Sequence, residues 1–510
     1  MTILQKNNTY DLLTTSNFQQ FHNLLKTIGP GITTPTAYDT AWAARLHAVT
    51  PHLAQSALNW LRAHQLGDGS WGTDEVVYHH ERVICTLIAM IALAENGCPE
   101  DTLRIQRAAD SLDYHLIHLV NDTAGETIAF EMLFPTLMAQ AKRLGIVPRG
   151  RTTLFNIMHR TRADKLARSP GKMISRHVTM SFSAELAGED GLHLLDIPNL
   201  QEVNGSIGYS PSATAYFLLH IDPHNIGAKQ YLQRAFVDGG LPNVATIDIF
   251  ERAWSLWNLA VTGYIREEML FDAQPHLDYL EQAWTPGKGT GTAIDWTLKD
   301  GDGTSMVYEV LQRYGRSPDL DGVLHYETDT HFRTFQLESN ASVSTNVHAF
   351  GALRYAGLPA SHPTVQKVSS FLQKQQTDPG YWIDKWHTSP YYPTAHLIIN
   401  SAGYHDNLVT EAINWIYQTQ KPDGSWGYYV STAEETAYCL QALSIWQAAG
   451  HQISQTALYK GANWLSRHVH PPYTPLWIGK CLYSPTLVVQ STVISALILA
   501  GKIINPTSTN

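Results

Sequence analysis

Apolar residues recur at helical spacing along most of the chain. The clearest stretches are 83–94, 437–449 and 488–500, where apolar side chains fall three and four positions apart. Alternation of β-branched and polar residues, the pattern of a half-buried strand, is sparse. Glycine and proline (35 and 25 residues) lie mostly between the periodic stretches, as turns. The pattern predicts an all-α protein.

A helix-and-turn unit occurs twice, 355 residues apart. Residues 57–72 (ALNWLRAHQLGDGSWG) and 412–427 (AINWIYQTQKPDGSWG) are identical at nine of 16 positions. Weaker copies lie at 199–209, 368–382 and 461–469. In each unit Asp-Gly-Ser ends the helix, and the Trp is placed to fold back onto neighbouring helices. The repetition predicts a duplicated domain of paired helices closing into rings, with the boundary between halves near 274–291.

Composition narrows the functional classes. A chain of 510 residues with a net charge of −10 lacks the basic excess of a nucleic-acid surface. The four cysteines form no CxxC pair, which favours a reducing compartment and gives no metal cluster. The N-terminus lacks the basic start and apolar run of a signal peptide, and the apolar runs 83–94 and 488–501 are shorter than the ~20 residues of a membrane span. We expect a cytoplasmic protein without a transmembrane segment.

An acidic cluster, KDGDGTS at 299–305, precedes a helical pattern. One interpretation is a helix N-cap with a carboxylate in the first turn. A calcium loop is a second, but it needs a Glu at its twelfth position, which is Leu311 when Asp300 is the first. From the residues alone, the calcium loop fails and the cap interpretation stays open for one of the two carboxyl groups.

Five longer segments carry a resemblance. They are AYDTAWAARL at 37–46, YSPSATAYFLL at 209–219, DKWHTSPYYPTAHL at 384–397, ETAYCLQAL at 435–443 and PPYTPLWIGKCLY at 471–483. Together with the DGSWG units they resemble the bacterial class II diterpene cyclases, relatives of the squalene-hopene cyclases. The resemblance implies two (α/α) barrels with the active site between them. Residues 1–35 and 271–510 would form the β domain, and 36–270 an inserted γ domain.

Within this resemblance the acidic cluster matches the DxDD acid motif. Asp302 takes the place of the proton donor and Asp300 that of the first Asp, while Gly303 departs from the final Asp. Protonating an alkene requires a neutral carboxylic acid, so the site must disfavour the carboxylate by burial or by a neighbouring negative charge. Asp300 can supply that charge. The loss of a carboxyl at 303 leaves the donor in place but alters its surroundings.

The segment SVSTNVHAFGAL at 342–353 resembles the family region that faces the acid. It offers His348 as a hydrogen-bond partner for the second oxygen of Asp302, with Asn346 on the preceding turn. A lone histidine in an apolar helix is also compatible with a core residue, and Asn346 with polar packing. Both interpretations stay open.

The resemblance also implies a cavity wall and a diphosphate site. Aromatic faces stabilise carbocations through the ring quadrupole. The candidates are Trp386, Tyr391, Tyr392, Tyr473 and Trp477, each of which could instead be core. Lys385 is the candidate cationic contact for the diphosphate, or else a partner in a surface ion pair. Glu189 and Asp190, in AGEDGLHLLD, match the family's acidic motif for diphosphate-associated Mg²⁺, or else form a solvated turn.

The predicted function is a class II diterpene cyclase. It would bicyclise geranylgeranyl diphosphate by protonation and keep the diphosphate, giving a rearranged product of the kolavenyl or halimadienyl type. The chain has no Asp-Asp pair and therefore no DDxxD motif for ionising the diphosphate, so a separate class I terpene synthase is the expected consumer. Alternatives are a copalyl-type synthase, a squalene-hopene-type triterpene cyclase and a non-enzymatic helical toroid that binds a ligand.

Overall fold

The computed structural model describes residues 17–146, 152–263, 267–338 and 340–504. Helices dominate these ranges and short turns join them. The first eight named helices are α1 (Ala37–Ala44), α2 (Pro51–Ala63), α3 (His79–Asn96), α4 (Asp101–His118), α5 (Phe130–Arg143), α6 (Thr152–Arg168), α7 (Pro211–His220) and α8 (Ile226–Ala235). The others are α9 (Asp248–Val261), α10 (Glu267–Ala283), α11 (Gly301–Arg313), α12 (Asp321–Leu324), α13 (Val343–Tyr355), α14 (Pro363–Gln375), α15 (Tyr391–Ser401), α16 (Thr410–Thr419), α17 (Ala433–Ala448), α18 (Gln455–Leu465) and α19 (Thr486–Ile504).

Six helices of the second half form a closed inner ring. In order around the ring they are α9, α11, α13, α15, α17 and α19, and α19 packs back against α9. The helices between them in sequence, such as α14, α16 and α18, pack on the outside of this ring. Ring helices are apolar on several faces because they contact both ring neighbours and outer helices, as in α19, which is buried along most of its length. The result is an (α/α) barrel, as the pattern predicted.

A second, smaller ring occupies the first half. It consists of α1, α3, α5, the 3₁₀ segment Thr179–Ala187 and α7, which closes against α1. The replacement of a regular helix by the 3₁₀ segment coincides with a kink at Ser183. The all-α class and the two-barrel architecture predicted from the sequence are confirmed.

The hydrophobic cores show where the chain passes between barrels. One core takes in side chains from Phe21 to Ile28 and again from Ile249 to Ala500, and the other runs mainly from Ala37 to Ala245. We call 17–28 with 248–504 the β domain and 36–247 the γ domain. The boundary expected after residue 270, near 274–291, therefore lies inside the β ring, because α9 is a ring helix. The glycine-rich stretch there is a turn closed by Thr285 and Gly289.

Two short antiparallel ladders lie where the domains meet. Strand β1 (Pro35–Thr36) pairs with β2 (Leu241–Pro242), so the chain enters and leaves the γ domain side by side. Strand β3 (Trp477–Ile478) pairs with β4 (Leu482–Tyr483), and the hairpin between them reaches into the γ domain.

The DGSWG units have the same local geometry in both domains. Trp71 donates from its indole N–H to the carbonyl of Leu61, and Trp426 donates to that of Ile416, both at 2.8 Å and both ten residues back. The glycine before each Trp has a positive φ (+93° at Gly69), where a side chain would collide with backbone of the adjacent outer helix. In both domains the DGSWG turn is therefore hydrogen-bonded to the helix before it through the Trp, and its glycine packs closely against the backbone of an adjacent outer helix.

Helix α19 is long and apolar enough to cross a membrane by length and composition, the one such helix among the described residues. It is 19 residues long and packs inside the β ring against α9 and α17. Most of its apolar window is buried within the protein, and it carries buried hydroxyl groups at Ser491, Thr492 and Ser495. Its composition is that of a core helix.

Candidate active site

A cavity of about 370 Å³ lies between the two domains. The γ domain contributes the 3₁₀ segment Thr179–Ala187 and the residues before α5, and the β domain contributes the start of α11, α9 and the β3–β4 hairpin. Aromatic rings make up much of the wall. They belong to Phe182, Phe250, Trp254, Trp296, Phe335, Trp386, Trp477 and Tyr483. The cavity is an apolar space with a few carboxyl groups at one end.

The carboxyl groups belong to the first turn of α11. Asp300 is the N-cap residue, and its Oδ1 accepts the backbone N–H of Gly303 at 2.6 Å. Asp302 lies in the first turn, lines the cavity and exposes 17% of its side chain. A side chain at 303 would place its Cβ 3.2 Å from Asp300 Oδ1. Because residue 303 is a glycine and has no Cβ, Oδ1 of Asp300 can approach the backbone N–H of Gly303 closely.

The pKa of Asp300 is raised to about 7, mainly by burial and also by the neighbouring charge of Asp302, while the Gly303 N–H and the Thr292 hydroxyl oppose the rise. Asp300 caps the helix, as the N-cap interpretation predicted, and Asp302 faces the cavity; the acid role of Asp302 stays a prediction.

Asp302 has one close histidine partner. His348 Nδ1 lies 2.6 Å from Asp302 Oδ1, and the His348 side chain is fully buried on α13. The other ring nitrogen of His348 lies 3.0 Å from Nδ1 of His396, on α15. Trp254 meets the His348 ring edge to face at 5.4 Å. The structure thus brings together Asp302 and His348 as the sequence suggested, and adds His396.

Asn346 has a different position. Its amide N–H group donates to the carbonyls of Phe332 and Ser342, and its Oδ1 accepts the Phe332 N–H. These bonds tie the loop before α13 to the helix. Asn346 does not line the cavity. Its placement corresponds to the polar-packing alternative.

The five aromatic candidates divide into two groups. Trp386 and Trp477 line the cavity. Tyr391, Tyr392 and Tyr473 are buried and do not line it. Tyr392 lies one layer behind, where its hydroxyl accepts the indole N–H of Trp254 at 3.1 Å. Sequence reasoning missed Trp254, although its place on an apolar ring helix next to Trp257 was a usable signal.

Lys385 lines the cavity. Its ammonium group contacts the carboxylate of Glu338 and the carbonyl of Asn340. Glu338 also accepts the Thr334 N–H, and the Thr334 carbonyl accepts the N–H of Gly301 at the start of α11. The lysine is therefore paired and tied to the acid helix. A diphosphate should lie away from the acid, so this placement does not favour the predicted contact.

Glu189 and Asp190, the acidic pair of the γ domain, both form ion pairs with arginine side chains. Both oxygens of Asp190 bind the guanidinium of Arg162, at 2.8 and 2.9 Å, which lowers the pKa of Asp190. Glu189 pairs with Arg143 on the surface. Among the described residues no cluster of three His, Cys, Asp or Glu side chains is placed to hold a metal. As arranged, Glu189 and Asp190 do not fit a divalent-metal site, and the magnesium assignment stays a prediction.

A buried lysine joins the domains beside the cavity. Lys480, in the β3–β4 hairpin, contacts Glu185 at 2.7 Å, and neither side chain is exposed. The same ammonium donates to the carbonyl of Phe182 and to the hydroxyls of Ser210 and Ser212. Because Phe182 and Ser183 line the cavity, Lys480 holds the γ-domain wall in place. No sequence argument singled it out.

Comparison with known proteins gives one family and several full-length relatives. Residues 334–471 match the model of the squalene-hopene cyclase C-terminal domain. The chain is 43% identical to a type B diterpene cyclase of Mycobacterium tuberculosis, over 93% of this chain and 97% of that protein. It is 28% identical to a (+)-kolavenyl diphosphate synthase of Herpetosiphon aurantiacus, over 92% and 94% of the two chains.

The fold has a counterpart among solved structures. The ent-copalyl diphosphate synthase of Streptomyces platensis superposes with a TM-score of 0.75 at 27% identity. The match covers 97% of this chain and 100% of that one, so it includes both barrels and the cavity between them.

Proposed function

The chain belongs to the class II diterpene cyclases, and we propose that its substrate is geranylgeranyl diphosphate, converted into a rearranged bicyclic diterpenyl diphosphate of the kolavenyl or halimadienyl type. One observation carries the proposal. Asp302 projects into an apolar, aromatic-lined cavity, with His348 held at 2.6 Å from one of its two oxygens. The other oxygen is left for the substrate.

The first step is a proton transfer to carbon. Asp302, un-ionised, gives its proton to the terminal alkene, whose π electrons form the new C–H bond and leave a tertiary cation. The two nearest double bonds then close two rings in turn. Loss of a proton from the last cation forms the product alkene, so substrate and product are isomers and the diphosphate is unchanged. The proton returned to the protein restores the acid.

Two features of the site support this chemistry. Burial and the neighbouring charge of Asp302 raise the pKa of Asp300 to about 7, which indicates that this end of the cavity disfavours an ionised carboxyl group. The wall around the cavity presents indole faces, of Trp254 and Trp477 among others, to cations that must be shielded from water.

Product type is the finer part of the proposal. One relative carries the name kolavenyl diphosphate synthase, and a structural counterpart carries the name ent-copalyl diphosphate synthase. Rearrangement requires that deprotonation wait for hydride and methyl shifts. We favour the kolavenyl type. A copalyl product would mean that a base meets the decalin cation before the shifts.

The associated partners follow from the chemistry. The product keeps its diphosphate, so a class I terpene synthase that ionises it would act next. We propose a cytoplasmic location, in keeping with cysteines that are all unpaired. Mg²⁺ would accompany the diphosphate, and Lys385, Glu189 and Asp190 stay candidates for its surroundings. Titration with EDTA, then KM measurements on Lys385→Met and Asp190→Asn, test these assignments.

The direct test is product identification. Purified protein is incubated with geranylgeranyl diphosphate and Mg²⁺, the product is dephosphorylated, and gas chromatography–mass spectrometry identifies the skeleton. A kolavenol or halimadienol spectrum supports the proposal. A copalol spectrum would show that the product is of the copalyl type, without rearrangement. Squalene in a parallel incubation tests the triterpene alternative. Conversion of neither substrate would favour the non-enzymatic toroid and overturn the proposal.

A further inference from the structure

Behind the acid lies a second histidine that the proposed mechanism does not use. His396, on α15, is 2% exposed, and its Nδ1 lies 3.0 Å from Nε2 of His348. Nδ1 of His348 in turn lies 2.6 Å from Oδ1 of Asp302. The three side chains come from α11, α13 and α15, three consecutive helices of the β ring. They form an unbroken line from the ring interior to the cavity.

The line has two possible proton arrangements when both rings are neutral. In the first, His396 donates from Nδ1 to His348 Nε2, so the His348 proton is on Nδ1 and is donated to Asp302 Oδ1. In the second, His348 carries its proton on Nε2, and its bare Nδ1 accepts the proton of Asp302. Only the first leaves the acidic proton on the free oxygen that faces the substrate.

The surroundings keep His396 neutral. Burial, then the neighbouring His348 and His387, lower its pKa well below the ordinary value for histidine. Its ring stacks on Trp257 at 4.5 Å, and the Trp257 indole N–H is bound to Glu309. Two phenols also lie close to it, those of Tyr392 and Tyr438, whose rings are 4.5 and 5.5 Å away, and Glu434 accepts a hydrogen bond from the Tyr438 hydroxyl. A neutral ring held by stacking has one N–H to offer.

We infer that His396 is a positioning residue: it donates to His348 Nε2, fixes the tautomer of His348 and thereby directs the acidic proton of Asp302 towards the substrate. It touches neither the substrate nor the cavity. The inference rests on the acid role proposed for Asp302. It adds to that role a reason why the acid's proton is not lost to the imidazole beside it.

The test uses a matched pair of substitutions. His396→Asn keeps an N–H donor near the position of Nδ1, whereas His396→Leu has a similar size and no donor. We expect His396→Leu to lower kcat by about 10- to 100-fold with little change in KM, because orientation of the acid is lost. His396→Asn should recover at least half of that loss on a logarithmic scale. The control is His451→Leu, a histidine stacked on Trp446 and bonded to Asp406 outside the site.

A spectroscopic measurement is independent of any substitution at 396. In the ¹⁵N-histidine-labelled wild-type protein, the signals of His348 are assigned by their loss in His348→Gln. We expect Nδ1 of His348 to be protonated and Nε2 to be bare. A proton on Nε2, or kcat within twofold of wild type in folded His396→Leu, would overturn the inference. Equal losses in the Leu and Asn variants would do the same.

Failure of the acid role gives a different result. If folded Asp302→Asn still made product at the wild-type rate, the proposed mechanism would fail whatever the 396 variants did. If Asp302→Asn is inactive while His396→Leu is fully active, only the positioning inference fails.

Discussion

Replacing Asp302 by Asn exchanges the hydroxyl of the carboxyl group for an NH2 group. The change removes the acidic proton and keeps the shape of the side chain. In the wild-type protein Nδ1 of His348 lies 2.6 Å from Oδ1 of Asp302, and the amide can keep a hydrogen bond with this nitrogen. The helix and the cavity should therefore persist. Because Asp302 is un-ionised in the proposed mechanism, the variant loses no charge and at most weakens one hydrogen bond of a partly exposed side chain. The expected loss of stability is about 0.5 to 1.5 kcal/mol.

The effect on catalysis should be far larger. General acids contribute about 10²- to 10⁴-fold when water can partly replace them, and water is too weak an acid to protonate an alkene in its place. We expect kcat to fall by at least about 10³-fold, which corresponds to about 4 kcal/mol in the activation barrier. The gap between a small change in stability and a large change in rate distinguishes an acid from a helix cap.

The assay combines circular dichroism with timed product measurement by mass spectrometry after dephosphorylation. Glu411→Gln, a carboxylate in the first turn of α16 away from the cavity, serves as control and should keep wild-type activity. If folded Asp302→Asn kept kcat within tenfold of wild type, the proton would have to come from another group, and the proposed chemistry would be refuted.

Three other predictions follow from neighbouring features. The pKa of Asp300 is about 7 in the folded protein, above its unfolded value, so the free energy of unfolding should fall as the pH rises from about 4 to 7. In Asp300→Asn this dependence is lost, and the difference in unfolding free energy between pH 5 and 7.5, measured by urea denaturation, should be about 2 kcal/mol smaller than in the wild type. Trp477→Leu should lower kcat by about 3- to 30-fold and release prematurely deprotonated products, whereas Trp477→Phe should keep most activity; identical product profiles would contradict a cation-stabilising wall. Lys480→Met leaves Glu185 buried without its cation and should cost about 3 to 5 kcal/mol, while Arg143→Met on the surface should cost less than about 1 kcal/mol; equal melting temperatures would contradict the domain-joining role.

Local features of the fold were accessible from the sequence because they depend on neighbouring residues. The DGSWG turns place a Trp over a carbonyl ten residues earlier, so the pattern itself specifies the contact. The predicted domain boundary shows the limit of such local information. The glycine-rich stretch near 285–291 has a turn composition, and composition does not distinguish a turn within a barrel from one between barrels.

The sequence by itself determined the helical class, the repeat that builds each barrel, and the first-turn carboxyl groups of α11, since all of these are set by residues a few positions apart. Only the tertiary structure decided which side chains meet at the cavity. Asp302, His348 and His396 lie 46 and 48 residues apart along the chain and touch because successive ring helices face one centre. Trp386 and Tyr391 are five residues apart but face different surroundings, because a helix begins between them. The ring of Trp386 faces the cavity, and the ring of Tyr391 packs against Trp415 in the outer layer. Closure of a ring is a long-range property, and it assigns each face a role that spacing alone leaves undetermined.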